Sequence, residues 1–305
     1  MSRRGLMKLL GLTTASAIMA KPLRGLMAPM GLAAAATTPI QAFAARKPTA
    51  KLFYTDTGKG KNMMLLHGWG CDSHDWSWQL PALESRYRVV AIDLRGHGRS
   101  EVMPSGNYMP DDYVADIETF IETRFSSEKF VLVGHSMGGQ IAARLANKRP
   151  DLIEGVISVD GSLGFSDKLA PIFQKTVDDL QHSNPADVVS ALLVGFYDKS
   201  TDHALKRWHI RRLQGTPTYP VRESFAPLFF DPNQVGLGKQ SEVFCKTIRI
   251  PFYHLCRDKE QAERMHTWFS HPKSKVDLWE AAGHWIMQDR KDDVNAAIIT
   301  WVDAL

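Results

Sequence analysis

A chain of 305 residues with 44% hydrophobic and 23% charged residues is long enough to bury a full core, so one large domain, with or without an insertion, is expected. The formal net charge of +4 is concentrated at the amino end: Asp56 is the first acidic residue, while residues 1–44 carry Arg3, Arg4, Lys8, Lys21 and Arg24, without which the chain is close to neutral. No basic stripe remains to neutralise phosphates, which argues against a nucleic-acid partner, and Cys71, Cys245 and Cys256 are too few and too scattered for a disulfide framework or a metal site.

At the amino end, paired arginines precede the modestly apolar run 9–20, which is too short for a transmembrane helix. The segment resembles a bacterial twin-arginine export signal. Ala42-Phe43-Ala44 has the small-x-small character of a cleavage site, so an exported chain beginning near Ala45 is expected. An organellar transit peptide, or a start at Met19, Met27 or Met30, are the alternatives. Residues 1–44 are set aside from the fold.

Residues 51–56 alternate as an edge strand does and turn at Gly58-Lys59-Gly60. Met63-Met64-Leu65-Leu66 suits a strand buried on both faces, and it runs into His67-Gly68-Trp69-Gly70. Residues 75–83 read as a short helix with Trp76, Leu80 and Leu83 on one face. The strand at 88–93 leads into Leu94-Arg95-Gly96-His97-Gly98-Arg99-Ser100, where Asp93, Arg95 and His97 read as turn scaffolding. Val114, Ile117, Phe120 and Ile121 share one face of a helix over 110–125. Phe130–Val133 is then an apolar strand ending in Gly134-His135-Ser136-Met137-Gly138, and residues 140–147 follow at once with helical spacing. A turn this tight needs glycines beside its serine and leaves the serine's own backbone strained. With another buried strand at 155–160, strands alternate with helices, the pattern of a mostly parallel sheet.

The G-x-S-x-G turn between strand and helix, the His67-Gly68 pair after an earlier strand and the Asp-x-Arg-Gly-His-Gly-x-Ser stretch at 93–100 together resemble the α/β-hydrolase superfamily. The resemblance implies the α/β-hydrolase fold: a mostly parallel central sheet flanked by helices, with a helical cap inserted. It implies Ser136 as nucleophile and the backbone N–H groups of Trp69 and Met137 as an oxyanion hole, donors fixed in advance where negative charge develops. His67 is expected to hold the loop.

Beyond residue 161 the alternation stops. Helical patterns at 167–181, 185–197 and 201–213 and a Pro-rich aromatic piece at 216–230 fill the place where many members of the superfamily insert a cap. The expected organisation is therefore a core of residues 45–161 and 246–305 with a cap of 162–245, whose Phe165, Phe173, Phe196, Tyr197, Trp208, Phe225, Phe229 and Phe230 are candidates to line a pocket. Residues 248–256 resume the sheet, 260–270 form a helix, 275–279 the last strand and 292–305 the final helix. Gly283-His284 stands just past the last strand, where the superfamily carries its base, so His284 is assigned that role. The acid has two candidates of equal standing at the carboxyl ends of strands, Asp160 and Asp258, with Glu260 behind them. Its task is to fix the imidazole tautomer and stabilise the imidazolium.

The expected activity is a serine hydrolase acting on a small-molecule ester, lactone or related acyl compound through an acyl-enzyme, with no cofactor or metal. A cofactor-free perhydrolase (haloperoxidase-like) or carbon–carbon bond hydrolase uses the same scaffold, and a receptor-like binding homologue is a third reading. A serine at the elbow argues against the carboxylate-nucleophile chemistry of haloalkane dehalogenases and epoxide hydrolases.

Overall fold

The computed structural model describes residues 48–305, and the export-like segment expected at 1–44 lies outside them. The strands are β1 (Tyr54–Gly58), β2 (Asn62–Leu66), β3 (Arg88–Ile92), β4 (Phe130–His135), β5 (Ile153–Val159), β6 (Phe252–Cys256) and β7 (Lys275–Leu278). They form one sheet in the order β1-β3-β2-β4-β5-β6-β7. Only β1 runs antiparallel to its neighbour, so the sheet is mostly parallel, as the alternation of elements implies. β4 sits at its centre and is buried throughout, and each of its fully buried apolar side chains contributes about 2 kcal/mol of transfer free energy.

Register sets up everything functional. Leu66 pairs with Gly134, His135 with Val159, and Val159 with Leu255, so the carboxyl ends of β2, β4, β5 and β6 lie side by side. Whatever follows those strands gathers at one edge, where sheets of this kind place their ligands.

The flanking helices are α1 (Leu80–Leu83), α2 (Pro110–Arg124) and α3 (Met137–Lys148). Pro110 opens α2 at the position where a missing N–H costs nothing, and Asp112 accepts the Met109 N–H at 3.0 Å. Between β5 and β6 come α4 (Ala170–His182), α5 (Pro185–Leu193), α6 (His203–Gly215), α7 (Thr218–Phe225) and α8 (Gly238–Cys245). Of these α8 has no counterpart among the helices expected from sequence. α9 (Lys259–Met265), α10 (Ile286–Asp289) and α11 (Lys291–Asp303) complete the chain. None of the helices described is long and apolar enough to cross a membrane.

The helices between β5 and β6 cohere through aromatic packing. Phe173 lies with its ring centroid 4.4 Å from Phe229 and 5.8 Å from Phe225, and Phe225 lies 5.2 Å from Phe229. They are tied to the body of the protein by a buried ion pair, Arg212 of α6 with Asp75, at 2.5 Å. Asp75 also accepts from Trp285 Nε1 at 3.1 Å, so the charge taken out of water keeps several partners.

Candidate active site

The turn between β4 and α3 is set by contact. A Cβ on Gly134 would stand 2.3 Å from the Gly138 carbonyl oxygen, and one on Gly138 would stand 2.4 Å from that of Leu66. Ser136 between them is held at φ 51°, ψ −117°, a conformation that costs of order 1–3 kcal/mol in a residue with a side chain. Its surroundings enforce that cost: Ser136 N–H donates to Val159 O at 3.1 Å, and Ser136 O accepts from Ser162 N–H at 2.9 Å and Gly139 N–H at 3.0 Å. Met137 is the first residue of α3, so its N–H has no acceptor within the helix and lies at the positive end of the dipole.

The loop after β2 faces that turn. His67 Nε2 accepts the Leu94 N–H at 2.8 Å, which leaves Nδ1–H to donate to Gly68 O at 2.8 Å. Burial lowers its pKa, so His67 is a neutral brace for the loop. Gly70 N–H donates to His97 Nε2 at 3.2 Å, and Asp93 accepts from Ser73 N–H at 2.8 Å and Arg99 N–H at 2.9 Å. The Asp93-to-Ser100 stretch thus serves as scaffold. Trp69 is anchored from the other side: its indole N–H donates to Val221 O in α7 at 2.9 Å, and its ring centroid lies 4.6 Å from that of Phe225.

At the end of β5, Asp160 adopts φ 42° and is buried. Its Oδ2 accepts from His284 Nδ1–H at 2.5 Å and from Arg257 Nε–H at 2.9 Å. Burial pushes this carboxyl up, but the hydrogen bond and charge of His284, with the charge of Arg257, outweigh it and hold the pKa at about 2. His284 is fixed from three other directions. Its N–H donates to Phe196 O at 2.7 Å, the Phe196 ring lies 5.0 Å away, and His135 packs at 4.6 Å while donating Nε2–H to His284 O at 3.0 Å. Burial, and then the charge of His284, keep His135 neutral with a pKa of about 3.

Of the two candidate acids, then, the one hydrogen-bonded to His284 is Asp160. Asp258 caps α9, where its Oδ1 accepts the Gln261 N–H at 2.7 Å. Glu260 is exposed and pairs with Lys168 at 3.1 Å. Arg257, between β6 and Asp258, meets Asp160 without any local motif in the sequence that marks it.

Ser136, Asp160 and His284 open on one cavity of about 570 Å³. Its walls are mainly apolar, with Phe165, Phe173, Leu193, Phe225, Leu228 and Phe229, while Lys168, Arg257, Asp258, Glu260 and Arg264 supply charged groups. Five aromatic residues expected to line a pocket do so, Phe165, Phe173, Phe196, Phe225 and Phe229. Tyr197 and Trp208 are engaged elsewhere, Tyr197 with Trp285 at 5.8 Å and Trp208 with Arg212 at 4.6 Å, and Phe230 is exposed. The arrangement joins a strained hydroxyl, an imidazole with a fixed tautomer and an apolar chamber for the bulk of a ligand.

A family model described as alpha/beta hydrolase fold matches residues 61–225. The chain is 24% identical over 268 residues to 2-hydroxy-6-oxo-6-(2'-aminophenyl)hexa-2,4-dienoic acid hydrolase of Metapseudomonas resinovorans, covering 82% of this chain and 86% of that protein. It is 44% identical over 95 residues to a non-heme haloperoxidase of Rhodococcus erythropolis, covering 31% of this chain and 34% of that one. The chain spans less than half the length of several of the curated relatives it matches. Among solved structures, a thermophilic esterase from Thermogutta terrifontis superposes with a TM-score of 0.72 at 23% identity, over 84% of this chain and 94% of that chain.

Proposed function

The chain belongs to the alpha/beta hydrolase fold family, and from that premise we propose that it is a serine hydrolase cleaving a small ester, lactone or related acyl compound. The observation that carries this reading is the Asp160–His284 pair at 2.5 Å, opening on the same cavity as a serine in a strained turn. Ser136 Oγ attacks the carbonyl carbon as its proton passes to His284 Nε2. Asp160, already ionised, keeps Nδ1 protonated and stabilises the imidazolium. The N–H groups of Trp69 and Met137 receive the oxyanion, and because they are held in place beforehand they need no reorganisation. Collapse expels the alcohol with the proton from His284. Water, deprotonated by the same imidazole, then attacks the acyl carbon and returns Ser136 to its free form.

The apolar walls favour a substrate whose acyl or alcohol part is hydrophobic. Residues 162–245 act in this reading as a cap that shapes that chamber, and the twin-arginine-like segment supports export. Replacing Ser136 with Ala is expected to abolish hydrolysis of short p-nitrophenyl esters and labelling by a fluorophosphonate; either activity surviving in a folded variant would overturn the assignment.

A second reading, carbon–carbon bond hydrolysis, is favoured by the breadth of the match to the dienoic acid hydrolase. Measuring kcat/KM for a vinylogous diketone acid beside simple esters separates the two.

A further inference from the structure

Arg257 has no task in the acyl-transfer steps, yet it lines the same cavity as Ser136 and His284. On the serine-hydrolase reading above, we infer that Arg257 is a specificity-determining residue whose guanidinium receives a carboxylate of the substrate, so that the ester or lactone cleaved is one carrying a free acid group.

The placement follows from the sheet. β5 and β6 are parallel with Val159 opposite Leu255, so Arg257 emerges one residue beyond the position facing Asp160. Part of its guanidinium is used there: Nε–H donates to Asp160 Oδ2 at 2.9 Å, and the Phe196 ring lies 5.6 Å from the guanidinium carbon. That Oδ2 also accepts from His284 Nδ1–H, so the carboxylate beside Arg257 is divided between two donors. Among the described residues no acceptor meets Nη1 or Nη2, and the side chain is 30% exposed. These nitrogens form the planar fork that matches the two oxygens of a carboxylate.

The rest of the charged wall is committed. Lys168 meets Glu260 at 3.1 Å, Arg264 donates to Gly164 O at 2.9 Å and lies 3.8 Å from Glu260, and Asp258 accepts the Gln261 N–H at 2.7 Å. With Asp160 included, cations and carboxylates on the wall balance, so net charge does not single out Arg257. Its unused donors beside the catalytic pair do. A free acid entering a mainly apolar chamber loses its hydration and needs a donor pair in return, and the fork of Arg257 supplies one. Since Nε–H bonds the very carboxylate that holds the base, an acid group received at Arg257 lies only a few bonds from the scissile carbonyl. That is the spacing of a short dicarboxylic half-ester.

The test compares a charged and a neutral ester within each enzyme. Ethyl hydrogen glutarate is set beside ethyl valerate, which has a methyl in place of the carboxylate, and para-acetoxybenzoate beside phenyl acetate. The first pair carries the acid on the acyl half and the second on the leaving alcohol. Any effect of Arg257 on Asp160 and His284 is common to both members of a pair and cancels in the ratio of their kcat/KM values. In Arg257→Gln and Arg257→Met the charged-to-neutral ratio is expected to fall by about tenfold or more in at least one pair, mainly through KM, as a charge-assisted contact is lost. Arg257→Lys, a point charge without the fork, is expected to recover part of it. A ratio within about threefold of wild type in both pairs would mean that Arg257 only braces Asp160, and would overturn the inference. A measurement on the wild type needs no variant to fold: glutarate is expected to compete with ethyl valerate where the neutral glutaramide does not, and equal inhibition by the two, or none by either, would overturn the inference as well. Ser136→Ala separates this inference from the reading beneath it. Calorimetry on that variant is expected to show ethyl hydrogen glutarate binding more tightly than ethyl valerate; equal binding sinks the inference alone, whereas continued hydrolysis sinks the serine-hydrolase reading.

Discussion

The ends of β5 and β6 are neighbours in one sheet, each carries an aspartate within two residues of its strand, and they use it differently. After β5 the backbone turns at once into the left-handed region at Asp160, followed by Gly161, and the carboxylate swings toward His284. After β6 the chain bends at Arg257, and Asp258 at φ −98° caps the helix that begins beside it. One side chain accepts backbone N–H at a helix start, the other accepts side-chain donors in a buried pocket. Position at a strand's carboxyl end brings a residue to the site, and the donors its carboxylate meets there, His284 and Arg257 for Asp160 and a helix N–H for Asp258, separate the two.

Replacing the two aspartates in turn is the strongest way to break this comparison. Asp160→Asn is expected to lower kcat by about 10³- to 10⁴-fold, because a neutral amide cannot hold the imidazole's tautomer or stabilise its cation. Steady-state kinetics on a p-nitrophenyl ester measures it, and a loss under tenfold would contradict the assignment of the acid. A subtler probe lies one step back from the same strand ends, where His254 of β6 meets Ser158 of β5 at 3.1 Å. Burial holds His254 at a pKa of about 4, below the ordinary histidine value. Between pH 6.5 and 4 the unfolded chain therefore binds a proton here that the folded chain refuses. Stability falls as pH falls, by about 1.4 kcal/mol per pH unit from this residue and about 3 kcal/mol in all. Urea midpoints followed across that range should show a shallower slope in His254→Gln. Asp160, held at about 2, adds its own loss only below pH 4. The smallest effect belongs to Asp258→Ala, expected to cost about 1 kcal/mol as a lost helix cap, read as a lowered Tm, while kcat stays within about threefold of wild type.

Much of the fold was legible because parallel strands announce themselves as short apolar runs bounded by glycine. β2, β3 and β4 stand within a few residues of where Met63–Leu66, 88–93 and Phe130–Val133 place them. β1 begins later than the alternation at 51–56 suggests, because Lys51 and Phe53 donate their N–H groups to Glu101 and Ser100 at 2.8 Å each and so belong to the loop after β3. α8 leaves no periodic signal in the sequence because its eight residues start with glycine and bury only Ser241 and Cys245. At the site, Ser136 and His284 are marked by glycines whose space the turns require. The choice between Asp160 and Asp258 turns on a dihedral and on which of two strand ends faces a histidine 124 residues away from Asp160, neither of which a local pattern encodes. Arg257 is invisible for the same reason: its meaning comes from the register of β5 against β6.

The indole of Trp69 rests on the carbonyl of Val221 in α7, across 152 residues of sequence. A loop graft that exchanged 162–245 for the equivalent stretch of another hydrolase would therefore be more than a change of upholstery in the binding chamber. It would take away the peg on which the loop after β2 hangs, and a chimera of this kind has to carry over the acceptor at Val221 and the ring of Phe225 if that loop is to keep its shape.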